Sequence, residues 1–241
     1  MNVREKMLLD RLGLIENGPI NIVILGDSVS HGALLDNIDY ENVYWNILKK
    51  RLNAFRDYVP VNMINASIGG TTAKDAVGRM EKQAFSHNPD LMIVCFGLND
   101  VMGPLEEYLD SLSKIFDRCN ETQCEAIFLT PNMLNTYVAA DAPQTHLDYA
   151  RRTAEVQNSG RMDTYIYSAV ALAQRKGIAV CDCYSRWKAL AKTEDTTMLL
   201  ANRINHPVSE MHKLFADALY QMIMGEGVCE AKEESTMYTG A

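Results

Sequence analysis

The sequence predicts an α/β fold, a parallel sheet of about five strands with helices on both faces. Three observations predict it. Short apolar runs recur at regular intervals along the 241 residues, and helical apolar stripes lie between them. Two of the runs are apolar at nearly every position, as a strand covered on both faces must be. Alternating strand and helix returns each strand in the same direction, so the sheet is parallel.

The elements follow in order. The opening "MNVREKMLLDRLGLIENG" scatters charges through its apolar residues and has no long apolar leader, so the expectation is a cytoplasmic chain or one whose signal has been removed. The runs "INIVILG" (20–26), "VPVNMINAS" (59–67), "LMIVCFG" (91–97), "EAIFLT" (125–130) and "GIAVCDC" (177–183) read as strands. They are short, rich in apolar and β-branched residues, and bounded by Gly, Pro, Asn or Asp. A helix follows Pro104, which fits its first turn, with Leu105, Tyr108, Leu109, Leu112, Ile115, Phe116 and Cys119 on one stripe. The long piece from Pro131 to Gly160 is expected to hold a helix near Leu147–Gln157, and its length suits a lid as well as plain surface. "RMDTYIYSAVALAQRKG" reads as a helix stopped by Gly177. A last helix places Met211, Leu214, Phe215, Ala218, Leu219 and Met222 on one stripe. Residues 1–241 are expected to form a single domain, with a core over about 20–223 and a frayed polar tail over 225–241.

Bulk composition excludes several functions. Lys plus Arg number 23 against 31 for Asp plus Glu, a net charge of −8, which disfavours nucleic acid as a partner. No apolar run is long enough for a membrane span. The six cysteines form neither a disulfide framework nor a paired zinc pattern, so no zinc site is expected on them; no cofactor is expected either. The sequence leaves the oligomeric state open.

In an open parallel sheet, ligands bind beyond the carboxyl ends of the strands. After the first strand comes "GDSVSHG" with Ser28. After the second comes "NASIGGTTA" with Gly69 and Gly70. After the third comes "GLND" with Asn99, and "NRINHP" with His206 precedes the last helix. Ser28 is a hydroxyl that needs a base, and His206 is the base type that titrates near neutrality. The amides of Ser28 and Gly70 and the Asn99 side chain are donors suited to a developing oxyanion. Each residue also has a plain structural reading. Ser28 could be a helix N-cap, the two glycines a turn, and Asn99 or Asp100 a cap of the next helix. Ser30 is expected in the turn after Ser28, Asp27 to fix that turn by hydrogen bonds, and His212 to be structural. His31 is expected at the pocket mouth or facing water, and His87 and His146 carry no signal.

The four pieces in this order resemble the blocks of the SGNH, or GDSL-like, hydrolase superfamily over about residues 20–223. The resemblance implies a three-layer α/β/α, flavodoxin-like domain that hydrolyses esters through an acyl-enzyme without a metal. It implies Ser28 as nucleophile, His206 as base, and Ser28, Gly70 and Asn99 as oxyanion donors. The substrate class it implies is a small-molecule ester, short-acyl or acetyl, with carbohydrate esters among the candidates.

One position departs from the family pattern. The family carries Asp three residues before this histidine, where this chain has Arg203. A guanidinium has only donors and cannot accept the imidazole N–H. Arg203 is therefore expected to point to solvent and play no orienting role. The side-chain oxygen of Asn202 or Asn205, or a backbone carbonyl, takes its place. Two other functions compete with the hydrolase, an acyltransferase of the same fold and a non-catalytic binding protein that lost the aspartate. A magnesium site on Asp27, Asp100 and Asp182 is a weaker alternative, since no phosphate-binding lysine loop accompanies it.

Overall fold

β-Branched and apolar runs leave little choice but to pair, because each offers two apolar faces and a full set of backbone donors and acceptors. A computed structural model describes residues 1–56 and 58–225. In chain order its helices and strands are α1 (Val3–Met7), α2 (Arg11–Asn17), β1 (Ile20–Gly26), α3 (Ser28–His31), α4 (Tyr44–Asn53), β2 (Val61–Asn65), α5 (Ala73–Gln83) and β3 (Leu91–Cys95). There follow α6 (Leu105–Glu121), β4 (Glu125–Leu129), α7 (Leu147–Asn158), α8 (Arg161–Arg175), β5 (Ala179–Cys181), α9 (Cys183–Leu190) and α10 (His212–Met224). The expected tail over 225–241 lies, after Gly225, outside the described residues.

The five strands form one sheet in the order β2-β1-β3-β4-β5, and every pairing is parallel. This is the flavodoxin-like order, and the chain reverses its direction of growth between β1 and β3. The register sets Gly26 opposite Cys95, so the two central strands end level. Helices pack on both sides. α4 and α10 lie against each other, with α4 on β2 and α10 on β5, while α5, α6 and α8 pack in a row on the opposite side of the sheet. β3 is buried at every position and β1 at every position but Asn21, as their apolar sequence requires. Among the described residues no helix is long and apolar enough to cross a membrane.

The elements fall within a few residues of their predicted places, as fraying ends do. Pro104 stands one residue outside α6, as its N-cap. The predicted stripe on α10 is rotated. His212, Phe215, Ala216, Leu219 and Ile223 are buried while Met222 is exposed, because α1, α4 and α9 all press on this helix. Ser30 is not in a turn but inside α3, fully buried, with its hydroxyl 2.8 Å from that of Tyr44.

Gly26 ends β1 directly beneath α3. A side chain there would meet Ser30 Oγ at 2.5 Å and Ser30 Cβ at 2.7 Å. Gly26→Ala should therefore destabilise the protein by about 1–3 kcal/mol, the usual cost of overpacking. Urea unfolding measures this, and an unchanged midpoint would contradict the packing described.

Candidate active site

Four loops meet at the carboxyl ends of β1 and β3, the switch point of the sheet. Asp27 caps α3 by accepting the Val29 N–H at 3.0 Å, so the cap is Asp27 and Ser28 is the first helical residue. That position leaves the Ser28 N–H without an intrahelical acceptor. It also presents the hydroxyl at the helix start. Gly70 follows β2 with φ 75°, a left-handed conformation that glycine adopts freely. Gly69 packs beside Ser28, where a side chain would touch Ser28 Cβ at 3.7 Å. Asn99 follows β3. Its side chain caps nothing, and one N–H donates to the Thr71 carbonyl at 2.9 Å. Asp100 spends its carboxylate on the Ala73 and Gly97 N–H groups at 2.8 and 3.0 Å.

His206 comes from the segment before α10. Its Nε2 lies 2.9 Å from Ser28 Oγ and its Nδ1 lies 2.6 Å from the Leu34 carbonyl oxygen. A carbonyl can only accept, so the neutral ring carries its proton on Nδ1 and Nε2 is bare. Nε2 then accepts the Ser28 hydroxyl proton. The ring's Nδ1 partner is thus a backbone carbonyl, and neither Asn202 nor Asn205 hydrogen-bonds to the ring. Asn202 Oδ1 instead accepts the N–H groups of Ile204, Asn205 and His206 at 2.9–3.0 Å, which coils the loop around that side chain. Asn205 Oδ1 accepts from Asn202 Nδ2 at 2.8 Å. Both oxygens are already spent on holding the loop's shape.

Arg203 does not point to solvent as expected. It sits at φ 57°, its guanidinium pairs with Asp141 at 3.0 Å, and it donates to the carbonyls of Met198 and Leu200. The cation is therefore turned to the segment after β4 and away from the imidazole. Two asparagines that the sequence analysis passed over anchor the same loop. Asn132 Nδ2 donates to the Asn205 carbonyl and the Asn135 N–H to the Ile204 carbonyl, both at 2.9 Å.

Ser28, Gly69, Gly70, Asn99 and His206 all line one cavity of about 480 Å³. Leu35 and Asp36 line it from the loop after α3. Pro143, Thr145, His146 and Tyr149 line it from the long connection before and into α7. His146 gave no signal in sequence because its spacing to the other pieces is arbitrary. His31 does not line the cavity and pairs with Tyr40 at 3.0 Å. His212 is buried in α10, where Nδ1 accepts the Tyr44 N–H, in keeping with a structural role. Asp182 caps α9, and the carboxylates of Asp27 and Asp100 bind backbone N–H groups, so the three do not form one cation-binding cluster. Among the described residues no group of three or more His, Cys, Asp and Glu is placed to hold a metal ion.

The electrostatics favour a neutral site. Burial pushes the His206 pKa below its ordinary value, against a smaller upward pull from the Leu34 carbonyl. Burial also raises Asp27 to about 7, assisted by the negative charge of Asp100, and the Val29 hydrogen bond opposes it only in part. Asp100 is raised to about 6 by burial.

Residues 24–214 match the model of the GDSL-like Lipase/Acylhydrolase family. Among solved structures, an acetylxylan esterase from Geobacillus stearothermophilus is 19% identical with a TM-score of 0.68, covering 86% of this chain and 95% of that one. A lipase/acylhydrolase from Enterococcus faecalis is 21% identical with a TM-score of 0.66, covering 85% of this chain and 95% of that one. An enzyme described as an alpha/beta hydrolase, from the metagenome of Lake Arreo, Spain, is 22% identical with a TM-score of 0.64, covering 86% and 96%. A comparison with curated protein sequences returns no match.

The buried Asp27 carboxyl makes a prediction about stability. Folded, it stays protonated up to about pH 7, whereas in the unfolded chain it ionises near pH 4. Unfolding releases a proton between these values, so this group costs stability as pH rises through that window. Asp27→Asn keeps an acceptor for Val29 and removes the charge. Its stability relative to the unmodified protein should increase from pH 4 to pH 8 in urea titrations. A difference independent of pH would contradict the assignment.

Proposed function

The chain belongs to the GDSL-like Lipase/Acylhydrolase family and is a carboxylic ester hydrolase, and from that premise we propose that it cleaves short-acyl esters through an acyl-enzyme on Ser28. The observation that carries this reading is the Ser28–His206 contact of 2.9 Å, with the ring's other nitrogen held by a carbonyl. His206 Nε2 takes the hydroxyl proton as Ser28 Oγ attacks the ester carbonyl. Negative charge moves to the carbonyl oxygen, to which the Ser28 and Gly70 N–H groups and the second N–H of Asn99 donate hydrogen bonds. His206 returns the proton to the departing alcohol. Water then attacks the acyl carbon and gives a proton to the same nitrogen, which passes it to the departing Ser28 Oγ as the acid is released.

A neutral carbonyl fixes the ring's tautomer but stabilises the imidazolium less than a carboxylate would, so turnover is expected to be modest. The cavity of about 480 Å³ suits a small ester. Asp36 and Thr145 on its walls suit a hydroxylated alcohol such as a sugar. The acetylxylan esterases among the structural neighbours favour acetyl as the acyl group. The catalytic unit spans about residues 20–223.

Two measurements test this. A fluorophosphonate should label Ser28 alone, and Ser28→Ala should abolish hydrolysis of p-nitrophenyl acetate and of acetylated sugars. Labelling at Ser30 would overturn the assignment. In the same assays Asn99→Ala should lower kcat by about 10²–10³-fold with a much smaller change in KM. An unchanged kcat would leave Asn99 as a tether to Thr71 and nothing more.

The pH profile follows from the sign of the His206 shift. The base is the neutral ring, so activity is lost as the ring is protonated. With the pKa lowered by burial, the acid limb of kcat/KM should have its midpoint below the ordinary histidine value of 6.5. A midpoint at or above that value would contradict the burial argument.

A further inference from the structure

The base is held from two sides, and only one of them belongs to its own segment. The other is the finger between α3 and α4, which carries the Leu34 carbonyl. That finger closes on itself. Ala33 pairs with Ile38, the Leu34 N–H donates to the Asn37 carbonyl at 2.9 Å, and the Asp39 N–H donates to the Gly32 carbonyl at 2.8 Å. Residues Leu35 to Ile38 are exposed. These local bonds shape the finger but do not fix its height over His206.

The tie to the base lies at the root. Asp39 Oδ2 accepts the Ser209 hydroxyl at 2.6 Å, and Ser209 is three residues beyond His206. The other oxygen, Oδ1, accepts the N–H groups of Glu41 and Asn42 at 3.1 and 3.0 Å, and the Asn42 side chain donates to both oxygens. The carboxylate thus joins the finger, the chain leading into α4, and the end of the segment that carries the base. A second tie follows, since the Tyr44 N–H donates to His212 Nδ1 at the first residue of α10.

We propose that Asp39 and Ser209 form a clamp that sets the Leu34 carbonyl against His206, so that a carboxylate outside the cavity positions the base through the backbone. The proposal rests on the reading of Ser28 and His206 as nucleophile and base. Asp39 is a positioning residue, because it touches neither the imidazole nor the cavity that Ser28 lines. It restores a carboxylate to the arrangement from which Arg203 removed one, acting at one remove.

Electrostatics keep the clamp closed over the working range. The Ser209 hydroxyl and the Asn42 side chain hold the Asp39 carboxyl at about 2, so it stays ionised while His206 titrates. The titratable groups nearest His206 are His212 on α10 and, on the shared cavity, Asp36 of the finger with His146 and Tyr149 opposite, while Asp39 acts on His212. Burial pushes His212 to about 4, so it stays neutral in the same range.

Ser209→Ala isolates the clamp, because it breaks the bond and leaves every charge in place. Displacing a catalytic partner by about 1 Å costs up to about 10²-fold, so kcat on p-nitrophenyl acetate should fall by about 10–100-fold with the thermal midpoint nearly unchanged. The acid limb of kcat/KM should move to lower pH, because the imidazolium loses part of its support from the Leu34 carbonyl. Ser209→Thr, which keeps the hydroxyl, should restore both. Asp39→Ala, checked for folding by circular dichroism, should lose as much, and the double variant no more than the worse single one. Ser28→Ala in the same series separates the two failures. If it is inactive while Ser209→Ala matches the unmodified enzyme at every pH, or shifts the limb upward, the clamp is wrong. If Ser28→Ala retains turnover, the reading of the dyad is wrong and the clamp falls with it.

Discussion

A carbonyl oxygen can accept a hydrogen bond and cannot give one. That constraint, applied at Leu34, decides the chemistry of the whole site. It places the imidazole proton on Nδ1 and leaves Nε2 bare at 2.9 Å from the Ser28 hydroxyl. A side-chain amide in the same position could have satisfied either tautomer. The backbone carbonyl also carries no charge, so the resting ring is neutral, and burial reinforces that state. The site is set for a neutral ring at rest, and under the proposed mechanism it has less to offer the imidazolium that would form.

A backbone group can do this only if the backbone is held still. The loop of His206 is coiled around the Asn202 side chain and pinned by Asn132 and Asn135 from the segment after β4. The finger that carries Leu34 is tied to the root of α10. Beneath both, the switch point of the sheet brings the ends of β1 and β3 level, which is what places Ser28 and Asn99 on one rim. Arg203 serves the same end in a different direction. Its pairing with Asp141 links the base's loop to the long connection whose residues from Pro143 to Tyr149 wall the cavity.

Much of this was legible in the sequence, for physical reasons. Continuous apolar runs such as "LMIVCFG" have no face to give water, so β3 and its parallel neighbours follow from composition alone. Ser28, Gly70, Asn99 and His206, which line one cavity, could be singled out in the sequence because ligands gather at strand ends and the residues there have complementary chemistry. The partner of the imidazole was not legible to residue type. A backbone carbonyl is identical at every position, and only the fold decides which one arrives. The same holds for His146, which reaches the cavity through a long connection of arbitrary length. Arg203 was misplaced because a lone cation reads as a solvated one, and its partner Asp141 lies 62 residues away. The rotated stripe of α10 reflects three helices packing where periodicity alone assumes one buried face.

The central claim is the tautomer of His206. Nitrogen-15 NMR of the ring, assigned by comparison with His206→Gln, reads it directly at pH 7. The account predicts a protonated Nδ1 and an unprotonated Nε2. A protonated Nε2, as the opposite neutral tautomer or as an imidazolium at that pH, would contradict it.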